Sequence, residues 1–234
     1  MNQIWTIILY SFISGVTIII GGLTAYTLRI RNRHLREEVI HWVVAFGGGV
    51  LLAAISFALV PRAMSLLTVK WLIMLMVGGT FTFMFIDWGL SRMKGSMAQL
   101  LGMMMDYVPE ALALGASFAH DHKFGLLLAV FIGLQNLPEG FNTYGDLRKI
   151  WRPAKSLSIM LALSFMGVFA ALAGYFLLSN SPNAVAGIML FAAGGILYLM
   201  FQDIAPLSRL KGGWLPASGA SFGYLIGMLG EKLL

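Results

Sequence analysis

The chain has 234 residues, of which 59% are hydrophobic and only 11% charged, and it carries a net charge of +6. A soluble domain is about 45–50% apolar and about a quarter charged, so a soluble enzyme, a disordered protein and a nucleic-acid-binding domain are all poor fits. With no cysteine, disulfide frameworks, thiolate catalysis and Cys-based metal sites are excluded as well. What remains is an all-α integral membrane protein whose basic excess sets its topology.

A helix crossing a hydrocarbon core of ~30 Å needs about 20 mostly apolar residues. In chain order such runs fall at roughly 4–28, 42–60, 71–90, 97–119, 124–144, 156–178, 184–205 and 214–230. Charged and amide residues interrupt runs four and five, and run eight is rich in glycine. The start, MNQIW, has no basic leader, so the first run is expected to stay in the mature protein. Twelve of the sixteen Lys and Arg residues fall in the odd-numbered connections, among them Arg29, Arg31, Arg33, Arg36, Lys94, Arg148 and Lys149. Cytoplasmic loops carry the Lys/Arg excess, which places both termini on the non-cytoplasmic side and calls for an even number of spans.

Two internal similarities organise these runs. AFGGGVLLAAISFALVP (45–61) matches LFAAGGILYLMFQDIAP (190–206) at a constant offset of 145, setting Phe46 on Phe191, Gly49 on Gly194, Leu52 on Leu197 and Pro61 on Pro206. By the charge topology these two segments run in opposite directions, as in inverted-repeat transporters with a site between the repeats. Shared glycine-rich composition is the competing explanation. VPEALA (108–113) matches LPEGFN (137–142) at an offset of 29. The expected plan is one transmembrane domain over 1–234: repeat one about 4–90, two central helices about 97–144, and repeat two about 156–230.

The central helices hold the chemistry. Asp106 and Glu110 lie mid-span in MMMDYVPEALALGASF, and Gln135, Asn136 and Glu139 in IGLQNLPEGFNTYG. A charge at the bilayer centre costs at least about 2.5–3.5 kcal/mol on insertion scales, and no Lys or Arg shares these spans to offset it. The carboxylates must therefore take protons or face a cation. Asp106 with Glu110, and Gln135 with Glu139, are i,i+4 pairs, so each pair projects from one helix face. Two facing helices would converge enough oxygens for a divalent cation. Pro109 and Pro138 are expected to kink their helices and free the carbonyls of Met105 and Leu134, which lipid tolerates only beside protein, water or an ion. A purely structural polar network is the competing reading.

Asp106-Tyr-Val-Pro-Glu110-Ala and Gln135-Asn136-Leu-Pro-Glu139-Gly resemble the paired His-Asn-x-Pro-Glu-Gly motifs of the ZIP (Zrt/Irt-like) divalent-metal transporters, most nearly the short-looped bacterial-type branch. The resemblance covers essentially the whole chain. It implies eight spans in a 3+2+3 inverted-repeat plan, both ends outside, a bacterial inner membrane and a homodimer, with a divalent cation (zinc, iron or manganese) as substrate and no organic cofactor. Carried over by position, Asp106, Glu110, Gln135 and Glu139 form a first metal site, while Glu110, Asn136 and Glu139 contribute to an adjacent second one. The sequence departs from the family pattern at several points. The usual motif histidine is Asp106 and the following asparagine is Tyr107. The acidic residue of the sixth span falls on Gly167, and the polar residue of the second span on Ala58. One all-oxygen site is expected rather than two; oxygen ligands suit Mn²⁺ and Mg²⁺ and accept Fe²⁺ or Zn²⁺.

Weaker signals complete the reading. His120, Asp121 and His122 form a candidate entrance cluster or a solvated turn. Gln202 and Asp203 are a candidate exit station or a helix boundary. Asp87 reads as a paired surface residue, Met103, Met104 and Met105 as core or lipid-facing, and Gly47, Gly48 and Gly49 as close-packing positions. The expected function is divalent-metal transport toward the cytoplasm, by alternating access of the outer repeats against the central helices. The alternative is a transport-inactive relative acting as a metal sensor or interaction partner. No enzyme is expected, since Ser117 has no buried histidine spaced to activate it.

Overall fold

A computed structural model describes residues 3–28, 30, 32–92 and 96–234, with backbone alone for 96–100. Arg29, Arg31 and Lys94, counted above among the topology determinants, lie outside the described residues. The described chain forms eight long helices: α1 (Gln3–Thr27), α2 (Arg33–Leu66), α3 (Val69–Ser91), α4 (Ser96–Phe118), α5 (His122–Leu147), α6 (Pro153–Leu178), α7 (Pro182–Leu207) and α8 (Leu215–Leu233). Six of them, α1, α2, α3, α5, α6 and α7, are long and apolar enough to cross a membrane. The protein is an all-α membrane protein.

The second helix is longer than its apolar run. The 29–41 stretch, expected as a connection, turns helical at Arg33 because Asn32 caps it, its Oδ1 accepting from Leu35 N at 3.2 Å. Two i,i+4 pairs then support the first turns, Arg33–Glu37 at 3.0 Å and His34–Glu38 at 3.7 Å. These exposed pairs add only tenths of a kcal/mol each, but together with the cap they carry α2 some way beyond its apolar run.

Nor do the prolines end their helices. Pro61 and Pro206 each follow a widened π turn, Ile55–Leu59 in α2 and Met200–Ile204 in α7. In each the closing amide reaches five residues back, Val60 to Ile55 O and Ala205 to Met200 O. The wider turn makes room for a ring that would clash with an α-helical carbonyl. The two turns fall at the same offset of 145 as the sequence match. Likewise Pro109 and Pro138 sit inside continuous helices α4 and α5.

Packing follows the same correspondence. A Cβ on Gly223 of α8 would collide with the Phe46 carbonyl of α2, and one on Gly79 of α3 would collide with the Phe191 carbonyl of α7. Gly49 likewise meets Ala220, as Gly194 meets Met76. Matched residues thus take matched positions in two helix pairs, α2–α8 and α3–α7. Gly47, Gly48 and Gly49 face three different helices, through Pro138 of α5, Ile204 of α7 and Ala220 of α8.

The helices do not group in space as they do along the chain. α1 packs mainly on α5 and α6, and α4 on α5 and α6, giving a four-helix bundle. The α2–α8 and α3–α7 pairs flank it, joined through α2–α5 and α4–α7 contacts. The three-helix repeats expected to move as units are therefore split between bundle and flanks. A stripe of small residues, Ser11, Ser14, Gly15, Gly21 and Gly22, lets α1 lie close to its neighbours.

Candidate metal site

Where α4 and α5 meet, the bundle sets Gln135 against Glu110 and lines a cavity with Asp106 and Glu139, while Asn136 turns toward α1. Gln135 and Asn136 are 1% and 0% exposed, and Glu110 and Asp106 3% and 7%. Glu139, a turn along α5 from Gln135, is half-buried. Asp106 and Glu139 both line the same cavity beside the α4–α5 seam. The Gln135 Nε2 amide donates to Glu110 Oε2, and Asp106 Oδ1 accepts from Tyr107 N at 2.9 Å. Asn136 Nδ2 donates to the Ser14 carbonyl of α1 at 3.1 Å.

Because each amide NH₂ has an acceptor for a partner, the two amide orientations are set, and their oxygens are left over. Gln135 Oε1, Asn136 Oδ1 and Glu139 Oε2 are all buried without a hydrogen-bond donor. An unsatisfied buried acceptor costs about 1–3 kcal/mol, so three together with two further carboxylates describe a place that lacks positive charge. Among the described residues no three His, Asp or Glu side chains converge at metal-holding distance. A cation here would take amide oxygens, backbone carbonyls or water alongside the carboxylates, as hard divalent ions do.

A cavity of about 860 Å³ reaches this site from one end of the molecule. Asp106, Glu139 and Met105 line its inner part, and exposed Arg36, Arg148 and Lys149 its rim. Met105 is the residue whose carbonyl loses its helical donor to Pro109. Asp87 and Asp203 stand on the cavity wall, and Tyr198 donates to Asp87 Oδ2 at 3.0 Å. Asp87 is thus drawn into the cavity, and is not only a surface residue. Gln202 is exposed and stands apart from its neighbour Asp203.

The opposite end is closed. Leu114 and Phe118 of α4 and Leu128 and Phe131 of α5 are buried between Glu110 and that end. Tyr10 stacks on Phe118 at 5.4 Å, and His122 stands edge-on to Phe118 at 5.1 Å. Asp121 caps α5, accepting from Phe124 N at 3.0 Å, and pairs with Arg62 at 3.8 Å. His120 contacts the Ser179 carbonyl. The three residues of the candidate entrance lie over this sealed layer, each with a local structural partner.

Sequence reasoning missed three participants. Ser14 enters through its backbone carbonyl, which no side-chain pattern reveals, although the small-residue stripe on α1 signals a helix lying close. Tyr198 enters only as a partner of Asp87. Tyr107, noted as a departure, proves to be buried with its hydroxyl unpartnered.

No family model matches the chain. In an alignment 205 residues long that covers 74% of this chain, it is 27% identical to the zinc transporter ZIP13 of Pongo abelii. The match spans 61% of that relative's own length. Its name is that of the family whose paired Pro-Glu motifs the central helices resemble.

Proposed function

We propose that the chain is a divalent-metal transporter that carries cations toward the cytoplasm through a midplane site of Asp106, Glu110, Gln135, Asn136 and Glu139. The observation that carries this reading is the set of buried acceptors without donors, Gln135 Oε1, Asn136 Oδ1 and Glu139 Oε2, beside carboxylates with no buried Lys or Arg among the described residues. A bound divalent cation supplies the charge that this set lacks. The zinc transporter relative supports a divalent metal as substrate, and the all-oxygen donor set extends the candidates to manganese and iron.

The proposed membrane plan is eight spans in an inverted 3+2+3 repeat, with both termini outside. The matched π turns and matched glycine seams support it. The cavity rim carries Arg36, Arg148 and Lys149, from the basic, cytoplasmic set of connections, so this conformation is inward-open. Alternating access then requires the α1–α4–α5–α6 bundle to shift against the α2–α8 and α3–α7 pairs, exchanging which end is sealed. His120, Asp121 and His122 would flank the outer opening, and Asp203 with Asp87 the inner route. The test is zinc and manganese flux into proteoliposomes, comparing the natural chain with Glu110→Ala and Glu139→Ala. Both variants are expected to lose most of the flux; equal flux in all three removes the site from the transport path.

A further inference from the structure

The proposed site leaves one buried polar group unused. Tyr107 precedes Glu110 by three residues and leaves α4 about 100° round from Asp106. It is 2% exposed, and its hydroxyl has no hydrogen-bond partner. The hydroxyl ends in a hole made by two glycines on two other helices. A Cβ on Gly15 of α1 would stand 2.6 Å from it, and one on Gly167 of α6 would overlap it. Oxygens cluster in the same region: the Ser164 carbonyl faces Gly15, and the preceding Ser14 carbonyl holds Asn136, whose Oδ1 is unpartnered. Between Asp106 and Glu110 along α4, facing α1 and α6, a neutral phenol thus stands near acceptor oxygens.

We infer that Tyr107 limits the site to a single cation, its phenol occupying the space that a second cation beside Glu110 would need. This rests on the reading of the central residues as a cation site. Charge supports it independently of volume. Asp106, Glu110 and Glu139 offset one divalent cation with a negative charge to spare, and fall one short of two. Neither Tyr107 nor Gly167 adds a charge, and an uncompensated charge in a low-dielectric interior is strongly disfavoured. The phenol fills the space with an uncharged hydroxyl.

The experiment is a metal count on the purified full chain in lipid nanodiscs, stripped with chelator, loaded with Mn²⁺ and measured by mass spectrometry of the metal per chain. One Mn²⁺ is expected for the natural chain and for Tyr107→Phe. Two are expected for Tyr107→Asn combined with Gly167→Glu, which opens the space and adds the fourth carboxylate; Tyr107→Ala with Gly167→Asp is the alternative pair should the first fail to fold. Two Mn²⁺ in the natural chain, or one in a folded double variant, overturns the inference and leaves the cation site standing. No Mn²⁺ in the natural chain overturns the cation site itself.

Discussion

The Gln135 amide donates to the Glu110 carboxylate across the α4–α5 seam, and that single bond decides which way both side chains point. Gln135 spends its N–H on Glu110, so its carbonyl oxygen is the group left facing the site without a donor. Gln135→Leu removes the orienting bond and the oxygen together. Loss of an orienting partner around a metal site typically costs 10–100-fold in affinity, and Mn²⁺ affinity by calorimetry is expected to fall by about that much. Unchanged affinity would show that Gln135 only joins the two helices.

The glycine seams give a prediction with an internal control. A Cβ on Gly79 would overlap the Phe191 carbonyl, whereas one on its neighbour Gly78 finds its nearest atom, Phe191 Cε2, at 3.9 Å. Overpacking against backbone costs about 1–3 kcal/mol. Gly79→Ala is therefore expected to lower the thermal unfolding midpoint clearly, and Gly78→Ala to leave it nearly unchanged. Gly223→Ala, at the matched seam on Phe46, should resemble Gly79→Ala; a difference between the two would argue against equivalent helix pairs.

These same residues show how far the sequence could be read. Each of the eight helices overlaps one apolar run, because span length is set by bilayer thickness and appears directly as hydropathy. The 145-residue offset was visible at Phe46 and Gly49, but its physical content, a glycine under a carbonyl, needs two helices that are far apart in the chain. The burial of Asp106 and Glu110 was legible in outline because carboxylates in an apolar run without bases demand an explanation. The extension of α2 to Arg33 was missed because the Asn32 cap and the i,i+4 pairs act in polar sequence, where hydropathy is silent. Tyr107 was read as a missing ligand; that it fills a hole left by Gly15 and Gly167 depends on three helices meeting.

Orientation can be tested with single cysteines, since the chain has none. Ser91 and Asn142 line the cavity, while Ser65 lines a small pocket with Asp121 and Glu231 at the other end. In sealed vesicles, a membrane-impermeant maleimide is expected to label Ser91→Cys and Asn142→Cys from the cytoplasmic face and Ser65→Cys from the opposite face. The reverse pattern would invert the proposed direction of transport. Labelling of all three from one face would rule out the eight-span plan.

Protons and metal compete for the same carboxylate oxygens, and that competition fixes the sign. The Asp106 and Glu139 carboxyls line one cavity, and a carboxylate ligates a divalent cation only in its deprotonated form. Binding therefore releases protons, and lowering the pH favours the metal-free form, so Mn²⁺ affinity and flux are expected to fall as the medium is acidified. Glu139→Gln keeps an oxygen in place but removes one titrating group. Its affinity should be weaker at neutral pH and should decline less steeply on acidification. Calorimetry in buffers of different ionisation enthalpy counts the protons released, and the variant should release fewer than the natural chain. Equal release would place Glu139 outside the group of carboxyls that the cation displaces protons from, and would leave Asp106 and Glu110 as its acidic ligands.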